Sequence, residues 1–161
     1  MGHVYLWTHQ HDKGIAQIRK AISLEPGNAK WLASLGEQLT WAGRPQEGIK
    51  SLEQAMRLDP KYPAWYLWNL GHAYYLSQEY EKAADIFQQA LVKDPYFWPA
   101  HAYLGLTYDL LGDSQKARQE TLAAARAIHE KSPGTWETRL PYKDRVLASK
   151  IIEKMTELGL D

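Results

Sequence analysis

Three prolines recur at a nearly fixed interval: Pro26 in Leu-Glu-Pro, Pro60 in Leu-Asp-Pro and Pro95 in Lys-Asp-Pro, separated by 34 and then 35 residues. Each closes an apolar pattern with helical spacing. A chain that repeats itself at this length is built of helical hairpins, each too small to bury its own apolar face and stable only against its neighbours. The period therefore predicts a solenoid, and with it a binding scaffold, before it says anything about what is bound.

Aligning the chain on those prolines brings more residues into register. Gly36, Gly71 and Gly105 coincide, preceded by Leu35, Leu70 and Leu104 and followed by Leu39, Tyr74 and Tyr108. A second set of columns holds Gly48, Ala83 and Ala117, then Leu52, Phe87 and Thr121, then Ala55, Ala90 and Ala124. Small residues let two antiparallel helices approach closely, and the large apolar ones fill the space between hairpins. The set resembles the tetratricopeptide repeat, with Leu-Gly-x-x-Tyr on a first helix, Ala-x-x-x-Phe-x-x-Ala on a second, and a closing proline. The expected fold is all-α, a right-handed superhelical solenoid of antiparallel helix pairs with a C-terminal capping helix.

One domain is expected over 1–161, divided into a partial repeat at 1–27, full repeats at 28–62, 63–96 and 97–131, and a capping segment at 135–161. First helices are expected at about 29–42, 64–77 and 98–111, and second helices at about 12–24, 45–58, 79–92 and 113–129. Gly14, Ile18, Ala21 and Pro26 occupy second-helix columns, with Gly2 and Tyr5 in the last columns of a first helix, so the chain opens inside a repeat. We read it as the end of a longer protein. In the third full repeat Thr121 replaces the aromatic and no proline stands near His129, so the second helix is expected to run on. Val146, Leu147, Ile151, Ile152, Met155 and Leu158 form one apolar face of a final helix, which Gly159 stops.

Charge narrows the partner classes. Nineteen basic residues balance nineteen acidic ones, and no long like-charge block supplies the basic groove that nucleic acid or an anionic membrane needs. No apolar run approaches the roughly 20 residues needed to cross a bilayer, and Met1 to His11 lacks the features of a signal peptide. A cytoplasmic protein without membrane insertion is expected. The absence of cysteine excludes a disulfide scaffold or a thiolate metal site.

In tetratricopeptide-repeat proteins the first helices line a concave groove, so the resemblance implies that their inward residues meet a ligand. The positions carried over are Trp7, Glu37, Trp41, Trp65, Trp68, Asn69, His72, Tyr75, Leu106 and Asp109. Aromatic rings on a concave surface suit binding anchors, because they bring large apolar area with few rotatable bonds to freeze. At least two of Trp41, Trp65, Trp68 and Tyr75 are expected to reach solvent there. Trp31, Tyr66, Tyr74, Tyr80 and Tyr108 read instead as packing residues between helices. One subclass of the family grips a peptide's terminal carboxylate with lysine, asparagine and arginine. Here Asn69 alone matches, the other columns holding Ala33, Glu37, Pro99 and Tyr103. Without basic side chains nothing offsets desolvation of the peptide's charge.

Neither catalysis nor a cofactor is expected. His9, His11 and Asp12 have the look of a ligand cluster but fall in a turn expected to be solvated. His72 and His101 are single histidines, and no motif converges a nucleophile, a base and an orienting group. A further resemblance reaches the C-terminus: the run from Asp59 to Leu76, Arg139-Leu-Pro-Tyr-Lys-Asp144 and Leu158-Gly-Leu160 are similar to the repeat tail of bacterial class III adenylate or guanylate cyclases. That resemblance implies a regulatory or interaction module. Three readings follow: a scaffold for a protein or peptide, a homodimerisation module, and a small-ligand sensor using Glu37, Asn69 and His72.

Overall fold

The computed structural model describes residues 10–131 and 140–160. Among these are eight helices and no strand: α1 (His11–Leu24), α2 (Ala29–Trp41), α3 (Pro45–Leu58), α4 (Ala64–Leu76), α5 (Tyr80–Lys93), α6 (Trp98–Leu110), α7 (Ser114–Lys131) and α8 (Arg145–Glu157). Helices α2 with α3, α4 with α5 and α6 with α7 form stacked hairpins.

Two kinds of turn alternate, and local sequence dictates both. Each first helix ends with a residue at positive φ: Gly43 at 79°, Gln78 at 62° and Gly112 at 82°. Their amides donate to Thr40, Tyr75 and Asp109 carbonyls, and the next amides donate to Leu39, Tyr74 and Tyr108 carbonyls at 2.8, 3.0 and 2.9 Å. This pairing satisfies the last helical carbonyls and sends the chain straight back. Between repeats the prolines act. The amides of Asn28, Tyr62 and Phe97 donate to the carbonyls of Glu25, Asp59 and Asp94 at 3.1, 3.1 and 3.2 Å. Each bond closes a four-residue turn with proline second, where its fixed φ suits the turn and forbids further helix.

Close helix crossings explain the small-residue columns. A Cβ at Gly36 would lie 2.6 Å from Leu52 Cγ and 2.9 Å from the Gly48 carbonyl oxygen. In the next hairpin Phe87, fully buried, packs on the bare Cα of Gly71. Thr121 takes that place in the third. It is buried, donates its hydroxyl to the Ala117 carbonyl at 2.9 Å, and would meet a Cβ at Gly105 at 2.5 Å. With no proline to stop it, α7 continues for 18 residues where α5 has 14.

The final helix forms over the expected residues. Asp144 caps it, its carboxylate accepting from the Val146 and Leu147 amides at 2.9 and 3.1 Å. Ala148, Ile151 and Met155 are buried, and Leu160 follows them after Gly159 turns at φ 98°. Val146, expected on the apolar face, is instead exposed. Helix α8 packs on α6, and Lys154 Nζ reaches Asp109 Oδ2 at 3.1 Å, so the C-terminal segment covers part of the inward surface of the solenoid.

Candidate functional site

Helices α2, α4 and α6 line the inward face, and the segment leading into α8 enters it. Pro141 and Tyr142 are buried there. The Lys143 amide donates to the Trp41 carbonyl at 3.0 Å, holding the segment across the end of α2. Tyr142 then meets one residue from each first helix. Its ring stands edge-on to Trp41 with centroids 4.5 Å apart, and its hydroxyl lies 2.6 Å from His72 Nε2 and 2.8 Å from the Tyr103 hydroxyl. Burial lowers the His72 pKa to about 3, so the ring is neutral. Burial also raises both phenols above their ordinary range, although for Tyr103 the bond to Tyr142 opposes the rise.

This sector corrects the expectation of an open groove at Trp41, which is only 4% exposed. Residues assigned to the ligand are covered by the chain itself. His72 and Leu106 are buried as well, and Asp109 is held by Lys154. Tyr75 is half-buried, with its ring 5.7 Å from Tyr103 and 5.9 Å from Tyr80. Trp7 lies outside the described residues.

Beside the filled sector a recess of about 420 Å³ remains, lined by Glu37, Trp65, Trp68, Asn69 and Phe97. Trp65 and Trp68 are both half-buried. Trp68 stacks on His72 at 15° and meets Phe97 edge-on with centroids 6.1 Å apart. Trp65 stands edge-on to Tyr66 at 4.3 Å. The Asn69 Nδ2 donates to the Trp65 carbonyl one turn earlier at 3.0 Å, while its Oδ1 is buried without a hydrogen-bond partner. Trp68 Nε1 is likewise buried without one. Glu37 is 9% exposed.

Four residues named from the sequence thus converge on one recess, and Phe97 was missed because it precedes α6 in a turn. Tyr142 was also missed, and Tyr103, recognised only as standing at a column of the carboxylate-gripping subclass, was not among the residues carried over. The signal for Tyr142 was present, since Leu140-Pro-Tyr142 is an apolar run between polar flanks. One further correction concerns His11, expected in a solvated turn. It is the first residue of α1 and buried, while Asp12 beside it reaches Lys143 Nζ at 3.3 Å. Among the described residues no group of three or more histidine, cysteine, aspartate or glutamate side chains could hold a metal ion. No helix among them is long and apolar enough to cross a membrane.

Comparison with known proteins bears on the fold and the family. The chain is 26% identical over 107 residues to the small glutamine-rich tetratricopeptide repeat-containing protein 2 of Mycosarcoma maydis, which covers 66% of the chain and 30% of that protein. It is 29% identical over 86 residues to the Hsp70-Hsp90 organizing protein of Triticum aestivum, covering 53% of the chain and 15% of that protein. The chain therefore spans less than a third of either relative. Among solved structures, MamA superposes with a TM-score of 0.66 at 23% identity, covering 98% of this chain and 95% of its own. PilW, a widely conserved type IV pilus biogenesis factor, gives 0.73 at 22%, covering 98% and 68%. At such identities these likenesses speak for the fold. Family models of the tetratricopeptide repeat match residues 28–91 and 86–119, together more than half of the sequence, and with the recurring turns and crossings they place the chain in the tetratricopeptide-repeat family.

Proposed function

We propose that this chain is a non-catalytic scaffold that holds a peptide or protein segment against the recess formed by Glu37, Trp65, Trp68, Asn69 and Phe97. Tetratricopeptide-repeat proteins generally mediate protein–protein interactions, and the observation that carries the reading here is the recess itself. Two tryptophans stand half-buried around it on a face where the neighbouring aromatics are sealed by Tyr142. Such rings release water readily and lose little rotamer freedom on contact. The similarity to cyclase tails favours a regulatory module within a larger cytoplasmic bacterial protein. Selection of binders from a displayed random-peptide library tests the reading. Trp65→Ala and Trp68→Ala should each weaken the selected peptides by roughly tenfold or more. Binders indifferent to both substitutions would place the interaction elsewhere.

A second reading, self-assembly, draws on a different surface. Leu24 and Leu58 end α1 and α3 at equivalent places and are 76% and 48% exposed, and Val92, one residue before the equivalent Lys93 of α5, is 84% exposed. Exposed apolar residues at the ends of successive second helices suit contact with a second copy. Light scattering over a concentration series decides it: a constant monomer mass removes this reading.

A further inference from the structure

We infer that the seat of Tyr142 is a binding site for a tyrosine of the partner peptide, filled in the resting chain by the chain's own segment 140–143; this rests on the scaffold reading above and deepens it. The segment belongs to no repeat and to no helix, yet it crosses the inward face in the manner of a bound peptide. It gives one main-chain hydrogen bond, from the Lys143 amide to the Trp41 carbonyl at the C-terminal end of α2, and one anchor side chain, Tyr142, which meets α2, α4 and α6 at once. The geometry of that seat selects tyrosine. The hydroxyl lies within hydrogen-bond distance of both His72 Nε2 and the Tyr103 hydroxyl, among the rings of Trp41, His72 and Tyr103. Phenylalanine would leave both polar groups unmatched, and a charged side chain would lose its hydration there.

The seat is continuous with the recess. Trp68 stacks on His72 at 15°, stands edge-on to Tyr103 with centroids 6.1 Å apart, and lines the recess beside Trp65 and Phe97. None of residues 140–143 lines it. A tethered segment competes at an effective concentration on the order of 1 mM, so a free tyrosine alone loses to Tyr142. A partner that sets a large apolar side chain in the recess and a tyrosine in the seat makes contacts that the resident segment never makes, and so displaces it. The hold beyond Tyr142 is light: Lys143 and Asp144 are exposed, and the pair of Lys143 with Asp12 lies at the surface, where such pairs hold little. The partner is therefore a segment with two anchors a few residues apart, one apolar and one tyrosine.

The test uses the full chain with peptides selected from the displayed library, and acetyl-Leu-Pro-Tyr-Lys amide, which copies residues 140–143. Selected peptides should carry a tyrosine, and its replacement by phenylalanine should weaken them about tenfold. Tyr142→Phe removes only the hydroxyl of the resident, and should tighten the same peptides about tenfold. On the unaltered chain, hydrogen exchange at the Lys143 amide should quicken when peptide is added, whereas a purely structural segment would stay protected. On Tyr142→Ala the tetrapeptide should bind saturably and raise the melting temperature, and its phenylalanine counterpart should bind about tenfold more weakly. Should that variant fold poorly, Tyr142→Phe and the exchange at Lys143 decide alone. Selected peptides that need Trp65 and Trp68 but bind Tyr142→Phe no more tightly and leave Lys143 protected overturn the inference and leave the scaffold reading intact. A library that yields no binder to either the unaltered chain or Tyr142→Phe removes both readings together.

Discussion

Gln78 is the only non-glycine residue with positive φ among the described residues, at 62°, and it sits where the other two hairpins use Gly43 and Gly112. A side chain in this conformation crowds its own backbone. Gln78→Gly should therefore stabilise the fold by about 0.5–1 kcal/mol, partly offset by the greater freedom of glycine in the unfolded chain, as read from urea unfolding. His101 carries a second residue-scale prediction. Its Nδ1 lies 2.6 Å from Glu120 Oε2 and its Nε2 lies 3.0 Å from the Pro95 carbonyl oxygen, so both ring nitrogens face acceptors. Burial depresses its pKa, but the bonds to Glu120 and Pro95 and the nearby carboxylate charge outweigh it, and the net shift is upward. A raised folded pKa means the stabilisation is complete below the ordinary value of 6.5 and is lost as pH rises through the raised one. Unfolding free energy should thus fall as pH rises from below 6.5 through the raised value, and His101→Gln should flatten that part of the profile.

At the scale of elements, the link between Tyr142 and the first helices is the contact most open to test. Tyr142→Phe leaves His72 Nε2 and the Tyr103 hydroxyl without their shared partner, which should cost about 1–3 kcal/mol. Acid should reach the same contact through His72, whose pKa burial holds near 3 against an ordinary 6.5. The neutral ring stabilises the fold above the ordinary value, and this is lost progressively as pH falls toward 3. The rings facing His72 are Trp41, Trp68, Tyr103 and Tyr142, none of which offers it a compensating negative charge. Hydrogen exchange at mildly acid pH should show α8 opening before α4 and α5, and uniform loss of protection would count against this order. The helices themselves were legible because proline, glycine and the apolar period act within a few residues. The place of Leu140 to Lys143 was not, because Tyr142 joins partners 70 and 39 residues away and belongs to no repeat. The same limit hid the burial of Trp41. Column alignment compares equivalent positions, whereas Trp41, His72 and Tyr103 lie on a diagonal that steps back about one helical turn per repeat.

Across the whole molecule, stability should depend on where a substitution falls along the stack, since each hairpin rests on its neighbours. Phe87 is fully buried in the middle of the largest core cluster, which extends to Met155 and Leu160. Phe87→Ala should cost about 3–5 kcal/mol and lower protection in every hairpin. Met155→Ala, at about 2–5 kcal/mol, should be confined to α8 and the face of α6 beneath it, as mapped by hydrogen exchange. A stack of hairpins joined only to their neighbours behaves as a spring, able to widen or tighten by small rotations at each joint. Tyr142 touches α2, α4 and α6 at once and so spans two of those joints. It acts as a cross-brace: while it is seated the pitch of this stretch is fixed, and the span between α2 and α6 cannot stretch without first tearing one aromatic ring from its socket.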